Sequence, residues 1–358
     1  ERIIFLTFVT SVNWSLWKGT RVIYMKRKII RNAIQVLLAT LILGYIMGCS
    51  PPPAQTDKII LKAGHPANAN EPYHLGLLEM ARIVKEESNG RVEIQIYPAM
   101  QLGSEKAMIE GLLLGTMDIV VTANGSATNF VPQLGILDLP FLFRDRNHMY
   151  SVMDGDVGQE LKKSLKDRGF HLLGFYDAGV RHIMTSNKPI NAYEDLEGLK
   201  IRTMPVPAHI ASFNAFDANA VAVDYGELYG GLQTGLIDGA EAANTNYNLQ
   251  KFYEVAPYWA QVGWAILVAD PIMSEKRFHS LPQDIQDILT KAGHQSAIFE
   301  RQAYADSDNS LLSVLQSKGV KVTYPDTAPF REASKKVYDE FITTDKDRAL
   351  LNAILATN

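Results

Sequence analysis

The segment from Gly179 to Met204 reads GVRHIMTSNKPINAYEDLEGLKIRTM. It contains two arginines, Arg181 and Arg202, each in a stretch whose apolar residues favour a β-strand. The first stretch ends at the turn residues before Pro189, and the second follows an acidic turn that ends in glycine. The pattern therefore predicts two strands, each of which carries a guanidinium group.

A guanidinium group on a strand is suited to the capture of an organic acid. It stays charged at physiological pH, and its planar donors match a carboxylate through two parallel hydrogen bonds. Because apolar residues flank Arg202, we expect it to be partly covered and to be the main carboxylate partner, with Arg181 in support. The alternatives are that Arg202 is a surface arginine and that Arg181 has a structural role.

An internal repeat points to two similar lobes. The motif G-L-x-x-G-x-x-D occurs at 111–118 and again at 231–238. In each copy a helix is expected to end at the second glycine, which suits a left-handed C-cap, and a short strand is expected to follow. Each lobe would then offer a strand end to a shared cleft. The alternative is a chance recurrence of a pattern common in α/β proteins.

Alternating strand and helix patterns predict an α/β fold. Strands are expected at 59–63 and 92–97, and helices at 71–87 and 104–114. A strand at 172–176 leads into a hinge at 177–179, and a second strand at 264–269 leads into a return at 270–271. The helix expected from about 281 to 315 is long enough to brace both lobes.

Several motifs, taken together with the two arginines, carry a family resemblance. They are KAGHP at 62–66, YPAMQLGSE at 97–105, LDLPFLF at 137–143, GELYGGLQTGLIDGAE at 226–241 and KFYEV at 251–255. As a set they resemble the periplasmic solute-binding protein of tripartite ATP-independent periplasmic (TRAP) transporters, the family of C4-dicarboxylate, sialic acid and uronate receptors. The resemblance covers the chain from about residue 58 onward.

The resemblance implies an α/β, two-lobed periplasmic-binding-protein-like fold with hinge strands and a long bracing helix. We expect lobe I at 58–177 with 268–306, and lobe II at 178–267 with 307–358. The implied function is an extracytoplasmic receptor without enzymatic activity, cofactor or metal, which binds an organic acid and delivers it to membrane permease subunits. A sensory receptor and a secreted sugar-acid hydrolase are the alternatives.

Six further residues are predicted to contact the ligand. The resemblance places His65 in a ligand loop and Tyr225 where the family has an aromatic ring, although Tyr225 could instead pack at a helix N-terminus. The others are candidates for hydroxyl or wall contacts: Asn124, Glu71, Glu241 and Asn244. A metal site at His65 and His74 lacks a third ligand in the sequence. Glu71 and Glu241 could form a glycosidase pair, but nothing selects them over other acidic residues.

The motifs also bear on the substrate class. No serine-hydrolase, zinc-protease or phosphate-loop motif is present in the sequence. The segments EPYH at 71–74, TANG at 122–125 and LDLPFLFR at 137–144 resemble the uronate and sugar-acid branch of the family. Where the sialic acid branch carries a glutamate and an arginine, this chain has the segment ANGS at 123–126, so sialic acid is not expected.

The start of the chain resembles a lipoprotein signal peptide. Basic residues after Met25 precede an apolar run at 36–47, which is too short for a permanent membrane span. The sequence IMGC at 46–49 resembles a lipobox, although Met47 departs from the usual small residue. Cys49 is the only cysteine in the chain, so we expect it to carry a lipid anchor and no disulfide.

The remaining N-terminal residues complete the predicted organisation. Residues 1–48 are interpreted as an over-extended start followed by the signal peptide, and the proline-rich segment 49–57 as a tether. After the seven basic residues and one acidic residue of 1–48 are set aside, 28 Lys and Arg face 38 Asp and Glu, a net charge of −10. This charge argues against a nucleic-acid partner and requires any anion to be held by a local arginine cluster.

Overall fold

The computed structural model describes residues 24–25, 27–38 and 58–358. The chain forms two compact units, residues 1–57 and residues 58–358. The described residues of the first unit are helical, whereas Cys49 and the predicted tether lie outside the described residues. Within the described ranges, no helix combines the length and apolar character that a membrane span requires.

The second unit is an α/β fold whose ten strands form one mixed sheet. The strands are β1 (Ile59–Gly64), β2 (Val92–Tyr97), β3 (Ile119–Ala123), β4 (Phe170–Leu172), β5 (Tyr176–Thr185), β6 (Lys200–Thr203), β7 (Asn219–Ala222), β8 (Gly239–Ala242), β9 (Tyr258–Ser274) and β10 (Lys321–Thr323). The helices that cover the sheet are α1 (Pro72–Glu87), α2 (Glu105–Leu114), α3 (Asn124–Thr128), α4 (Arg146–Asp154), α5 (Asp156–Lys166), α6 (Pro207–Ala215), α7 (Leu228–Thr234), α8 (Asn244–Leu249), α9 (Glu275–Ser280), α10 (Gln283–Ser317), α11 (Ala328–Phe341) and α12 (Asp345–Ala356).

The sheet consists of two halves with the same arrangement, and each half is the sheet of one lobe. The strand order is β2-β1-β3-β9-β5-β8-β6-β7, with β4 and β10 paired to β9. In lobe I, β1 pairs in parallel with β2 and β3, and in lobe II, β6 pairs in parallel with β7 and β8. The expected glycine C-caps are present at Gly115 (φ 78°) and Gly235 (φ 71°). The predicted two-lobed α/β fold is confirmed.

The aspartate that ends each copy of the repeat motif connects two strands. The Asp118 carboxylate accepts a hydrogen bond from Lys62 N at 2.8 Å, and the Asp238 carboxylate accepts one from Lys200 N at 2.9 Å. In both lobes this contact joins the start of the third strand to the central strand of the half-sheet. The repeated motif therefore fixes strand order within each lobe.

Two antiparallel strands join the lobes. The 17-residue strand β9 pairs with β3 of lobe I and with β5, and β5 pairs with β8 of lobe II. The strand predicted at 172–176 is instead divided between β4 and β5, and the segment predicted at 264–269 lies in the middle of β9. The β5–β9 register shifts between Asp177 and Val180, so the predicted hinge at 177–179 coincides with an irregularity in the sheet.

The long predicted helix is present as α10, which has 35 residues. It packs against α1 of lobe I and against α8 of lobe II. Helix α12, at the end of the chain, packs against α5 of lobe I because its buried Leu350 and Ile354 join the apolar cluster around Leu161. The last helix therefore contacts the segment expected in lobe I, although the sequence analysis expects 307–358 in lobe II.

Gly179 provides a test of the hinge. Its φ is +86°, and an added Cβ would lie 2.3 Å from the Cβ of Ala243 and 2.7 Å from Cε1 of Tyr304. We expect Gly179→Ala to lower the free energy of unfolding by about 2–5 kcal/mol, through backbone strain and overpacking. Urea denaturation of residues 58–358 measures the change.

Gly230→Ala is the matched control, because an added Cβ at this position in α7 meets no atom within 4 Å. This variant should be as stable as the wild type or up to about 1 kcal/mol more stable. Equal stability of the two variants would contradict the constraint assigned to Gly179.

Candidate functional site

A cavity lies between the two lobes. Its wall contains residues of lobe I, both joining strands, lobe II and α10: Pro66, Ala67, Glu71, Pro72, Tyr73, Glu105, Ala123, Ala178, Arg181, Arg202, Met204, Tyr225, Asn246, Leu267 and Tyr304. Four of the predicted site residues are in this wall, namely Arg181, Arg202, Glu71 and Tyr225. The structure therefore brings together side chains that are distant in the sequence and belong to different lobes.

The two arginines share one counter-ion. Arg181 lies on β5 and Arg202 on β6, and β8 lies between these strands in the sheet. Both side chains are buried, as is Glu241 on β8. Oε2 of Glu241 is 2.6 Å from Nε of Arg181, and its Oε1 is 3.5 Å from Nη1 of Arg202. Glu241 was predicted as a ligand contact, but it lies behind the cavity wall and binds the arginines instead.

The charges of Arg181, Arg202 and Glu241 sum to one positive charge on this side of the cavity. Burial raises the pKa of Glu241, but Arg181, through its charge and its hydrogen bond, together with His209 and Arg202, outweighs burial. The net shift is downward, so this carboxylate is ionised. Burial lowers the pKa of Arg202, yet a guanidinium group remains charged in proteins. Nε of Arg202 donates to the carbonyl of Val223 at 2.8 Å, and no described residue accepts a hydrogen bond from its Nη2. This guanidinium group therefore retains a donor without a partner among the described residues.

Glu71 lies in the cavity wall, but its carboxylate already accepts hydrogen bonds from protein groups. It precedes α1 as the N-cap residue. Its Oε1 accepts from Asn68 N at 2.8 Å and from Gln250 Nε2 at 2.6 Å, and its Oε2 accepts from Asn246 Nδ2 at 2.7 Å. Burial raises the pKa of Glu71, against the opposing effect of these three hydrogen bonds. Because protein donors hold both oxygens of Glu71, and because Glu241 is not in the cavity wall, their arrangement does not favour a glycosidase pair.

Glu105 is an acidic wall residue that the sequence did not single out. It is the first residue of α2, directly after the N-cap residue Ser104. Its Oε1 accepts from the Thr122 hydroxyl at 2.7 Å and from Ala123 N at 3.1 Å. Burial raises the pKa of this carboxyl group. The only sequence signal was an acidic residue in the first turn of a helix, which occurs in many helices that are far from any site.

Three tyrosines give the cavity an aromatic surface, namely Tyr73, Tyr225 and Tyr304. The ring of Tyr225 packs edge-on against Phe252, and its buried hydroxyl has no partner among the described residues. The hydroxyl of Tyr304 donates to Oδ1 of Asn246 at 2.8 Å. Tyr225 was predicted from the family resemblance, whereas no local pattern marked Tyr73, Tyr304 or Asn246.

The two predicted asparagines are not in the cavity wall. Asn124 and Asn244 were expected in loops, but each is the first residue of a short helix, at equivalent positions of the two lobes. Nδ2 of Asn124 donates to the Asp138 carboxylate at 2.8 Å, and Oδ1 of Asn244 accepts from Nε1 of Trp259 at 2.8 Å. Each amide therefore holds its own lobe together in the structure.

The predicted ligand contact His65 is also outside the wall, although its neighbours Pro66 and Ala67 line it. His65 is fully buried, and its Nε2 lies 3.1 Å from Nδ1 of His74. Burial and the nearby His74 lower the pKa of His65 to about 3. In the described part of the chain, no cluster of three or more His, Cys, Asp or Glu side chains could hold a metal ion.

The lobes also touch behind the cavity. An added Cβ at Gly125 of lobe I would lie 2.5 Å from Cγ2 of Val206 in lobe II. Nε2 of His209 in lobe II is 3.3 Å from Oδ1 of Asp138 in lobe I, and both side chains are buried. These contacts show the two lobes closed around the cavity.

Comparison with known proteins assigns the family. The model of the bacterial extracellular solute-binding proteins, family 7, matches residues 63–345. The 2,3-diketo-L-gulonate-binding periplasmic protein YiaO of Escherichia coli K12 is 29% identical over 284 residues, which cover 79% of this chain and 87% of YiaO.

Two crystal structures of TRAP periplasmic solute-binding proteins have the same fold. One, from Xanthobacter autotrophicus Py2 with bound β-D-galacturonate, is 32% identical, with a TM-score of 0.81 and coverage of 83% of this chain and 100% of that one. The other, from Roseobacter denitrificans with bound β-D-glucuronate, is 26% identical, with a TM-score of 0.81 and coverage of 84% and 100%. The chain belongs to family 7 of the bacterial extracellular solute-binding proteins, the TRAP receptors, and is a binding protein and not an enzyme.

Proposed function

We propose that this protein binds a sugar acid with a single carboxylate and delivers it to the membrane permease of a TRAP transporter. The observation that carries the proposal is the buried cluster of Arg181, Arg202 and Glu241, whose charges sum to +1 beside a cavity between two lobes. A ligand carboxylate would neutralise this charge and accept charge-assisted hydrogen bonds from Arg202. Arg181, which Glu241 holds in place, would support the same carboxylate.

The rest of the wall favours hydroxyl groups over a second carboxylate. Glu71 and Glu105 place two carboxyl groups at the cavity, and these would repel another anion. A ligand hydroxyl, in contrast, can donate to Glu105 and pair with the unpartnered hydroxyl of Tyr225. The tyrosine rings offer flat apolar surface to the C–H face of a sugar. A uronate or an aldonate therefore fits these groups better than a C4-dicarboxylate does.

The ligands named for the relatives support this class. Galacturonate and glucuronate are bound in the two crystal structures, and diketogulonate is named for YiaO. Each of these compounds combines one carboxylate with several oxygen-bearing carbons. A sensory receptor could use the same pocket, but the TRAP relatives favour transport.

Arg202→Lys tests the carboxylate site. Lysine keeps the charge but cannot form two parallel hydrogen bonds, so we expect the affinity for D-galacturonate to fall by at least about tenfold in isothermal titration calorimetry. Arg91→Lys, at an exposed ion pair with Asp284, should leave the affinity unchanged.

The same titrations compare ligands that carry no carboxylate, one carboxylate or two. D-galactose lacks the carboxylate and should not bind measurably, and succinate should bind more weakly than D-galacturonate because of its second carboxylate. Unchanged affinity of Arg202→Lys, or equal binding of D-galactose, would exclude Arg202 as the carboxylate partner.

We propose further that binding closes the lobes about β5 and β9. Lobe I would comprise 58–177 with 268–306 and lobe II 178–267 with 307–358, apart from α12, which contacts lobe I. Arg202 and Tyr225 belong to lobe II, whereas Glu71 and Glu105 belong to lobe I. Only a closed state can present both sets to one ligand, so the ligand should shift the population toward that state.

Solution scattering measures this closure. Saturating D-galacturonate should reduce the radius of gyration of the wild type, and Arg202→Ala should abolish the response at the same concentration. Gly125→Ala retains the arginines but adds a Cβ that collides with Val206 between the lobes, so it should also fail to compact. A liganded wild type with an unchanged scattering profile would favour a preformed pocket without hinge motion.

We also propose that Cys49 carries a lipid anchor, which would hold the receptor near its permease. The proposal rests on the basic and apolar segments before Cys49 and on the absence of any other cysteine. Cys49→Ser should release the protein from membranes into the soluble fraction, and the released protein should bind ligand with the same affinity as the wild type. Mass spectrometry of wild-type protein that shows no acyl chains on Cys49 would refute the anchor.

A further inference from the structure

We propose that Glu71 is a positioning residue that clasps the two lobes together and, through Asn246, orients Arg181 toward the ligand. The inference deepens the proposed function and rests on it. It assigns to Glu71 a role that differs from direct contact with a ligand hydroxyl. The clasp consists of Glu71, Asn246 and Gln250. Glu71 and Asn246 line the cavity, whereas Gln250 does not.

The clasp joins two elements that are far apart in the sequence. Glu71 is only 1% exposed and lies at the start of α1 in lobe I. Asn246 in α8 and Gln250, which directly follows α8, belong to lobe II and are four residues apart. Residues at this spacing lie on the same face of a helix, so both amides can reach one carboxylate.

The geometry is that of a charge-assisted pair. Nδ2 of Asn246 is 2.7 Å from one oxygen of Glu71, and Nε2 of Gln250 is 2.6 Å from the other. The backbone N–H of Asn68 donates to the second oxygen from within lobe I. With three donors on its two oxygens, the carboxylate is satisfied by protein groups and faces both lobes at once.

Asn246 transmits the contact to the arginine site. Its Oδ1 accepts from the hydroxyl of Tyr304 at 2.8 Å and from Nη1 of Arg181 at 3.4 Å. Glu71 accepts from Nδ2 of the same amide and so fixes its orientation, with oxygen toward Arg181. Without Glu71 the amide could rotate, and its NH2 group would then face the guanidinium group. Glu71 therefore supports the cation that receives the ligand carboxylate.

Gln250→Ala is the decisive variant, because Gln250 is outside the cavity wall and its side chain bonds only to Glu71 in the described structure. Loss of one hydrogen bond to a charged group should weaken D-galacturonate binding by about tenfold, mostly through faster dissociation. Asn248→Ala is the matched control on the same helix, since Asn248 accepts from Lys318 and does not contact lobe I. Its affinity should equal that of the wild type.

Glu71→Gln and the double variant Glu71→Gln/Gln250→Ala complete a thermodynamic cycle. Glutamine is neutral, so at position 71 it cannot offer a charged acceptor to both amides. Glu71→Gln should therefore weaken ligand binding more than Gln250→Ala does. The double variant should lose clearly less than the two single losses combined, because both remove the same contact. Additive losses would instead indicate that Glu71 contacts the ligand directly, and would overturn the clasp.

A stability measurement separates the clasp from a general structural role. The contact links the closed lobes, so the ligand-free melting temperature of Gln250→Ala should match that of the wild type. A lower ligand-free melting temperature, or an affinity equal to that of Asn248→Ala, would refute the clasp while leaving the proposed function intact. A wild type that binds none of D-galacturonate, D-glucuronate and D-galactonate would overturn the proposed ligand class and the clasp together.

Discussion

The buried carboxylate of Glu241 is the interaction on which the site depends. Two guanidinium groups removed from water on neighbouring strands would repel each other and lose much of their hydration energy. Glu241 lies on β8, between the strands of Arg181 and Arg202, and is within 3.5 Å of both. The sheet order therefore determines the chemistry of the cavity. Any topology that separated β5 from β6 by a different strand would leave the arginines without this shared counter-ion.

The sequence contained enough to predict the lobes, because their determinants are local. Glycines at helix ends and an aspartate three residues later gave the repeat, and both features have the predicted structure around Gly115 and Gly235. The exact extent of β9 was not predictable in the same way. Gly263 and Pro271 are the only residues in this long apolar run that commonly interrupt a strand. That strand is continuous because it pairs with strands of both lobes, which is a tertiary property.

The site was predictable only in part, and the physical reason is sequence separation. Arg202 and Tyr225 follow motifs of a known family, so they could be named in advance. The amides that bind Glu71 are 175 and 179 residues away in the sequence, and no local pattern predicts contacts over such separations. The roles of Asn124 and Asn244 depend equally on distant groups that occupy their amides. A polar residue at a strand end can serve a ligand or its own lobe, and only the packing decides which.

Hydrogen bonds to Asp177 fix the start of the predicted hinge at 177–179. Asp177 accepts hydrogen bonds from Gly179 N, Arg146 and Tyr150, and its own N–H donates to Glu300 of α10. Burial raises the pKa of Asp177 and that of Glu300. We therefore expect bending to be confined to the few residues after Asp177, where the β5–β9 register shifts.

Closure without ligand has an electrostatic cost. The stabilisation that the other interlobe contacts provide must be smaller than this cost. The clasp at Glu71 and the contact of His209 with Asp138 involve protein groups only. If they were sufficient alone, an empty receptor would close and could not bind. The excess positive charge of the cluster formed by Arg181, Arg202 and Glu241 opposes this, because a buried charge without a full complement of opposite charge is destabilising. A ligand carboxylate removes that cost, so closure follows binding of an anion and not the mere approach of the lobes.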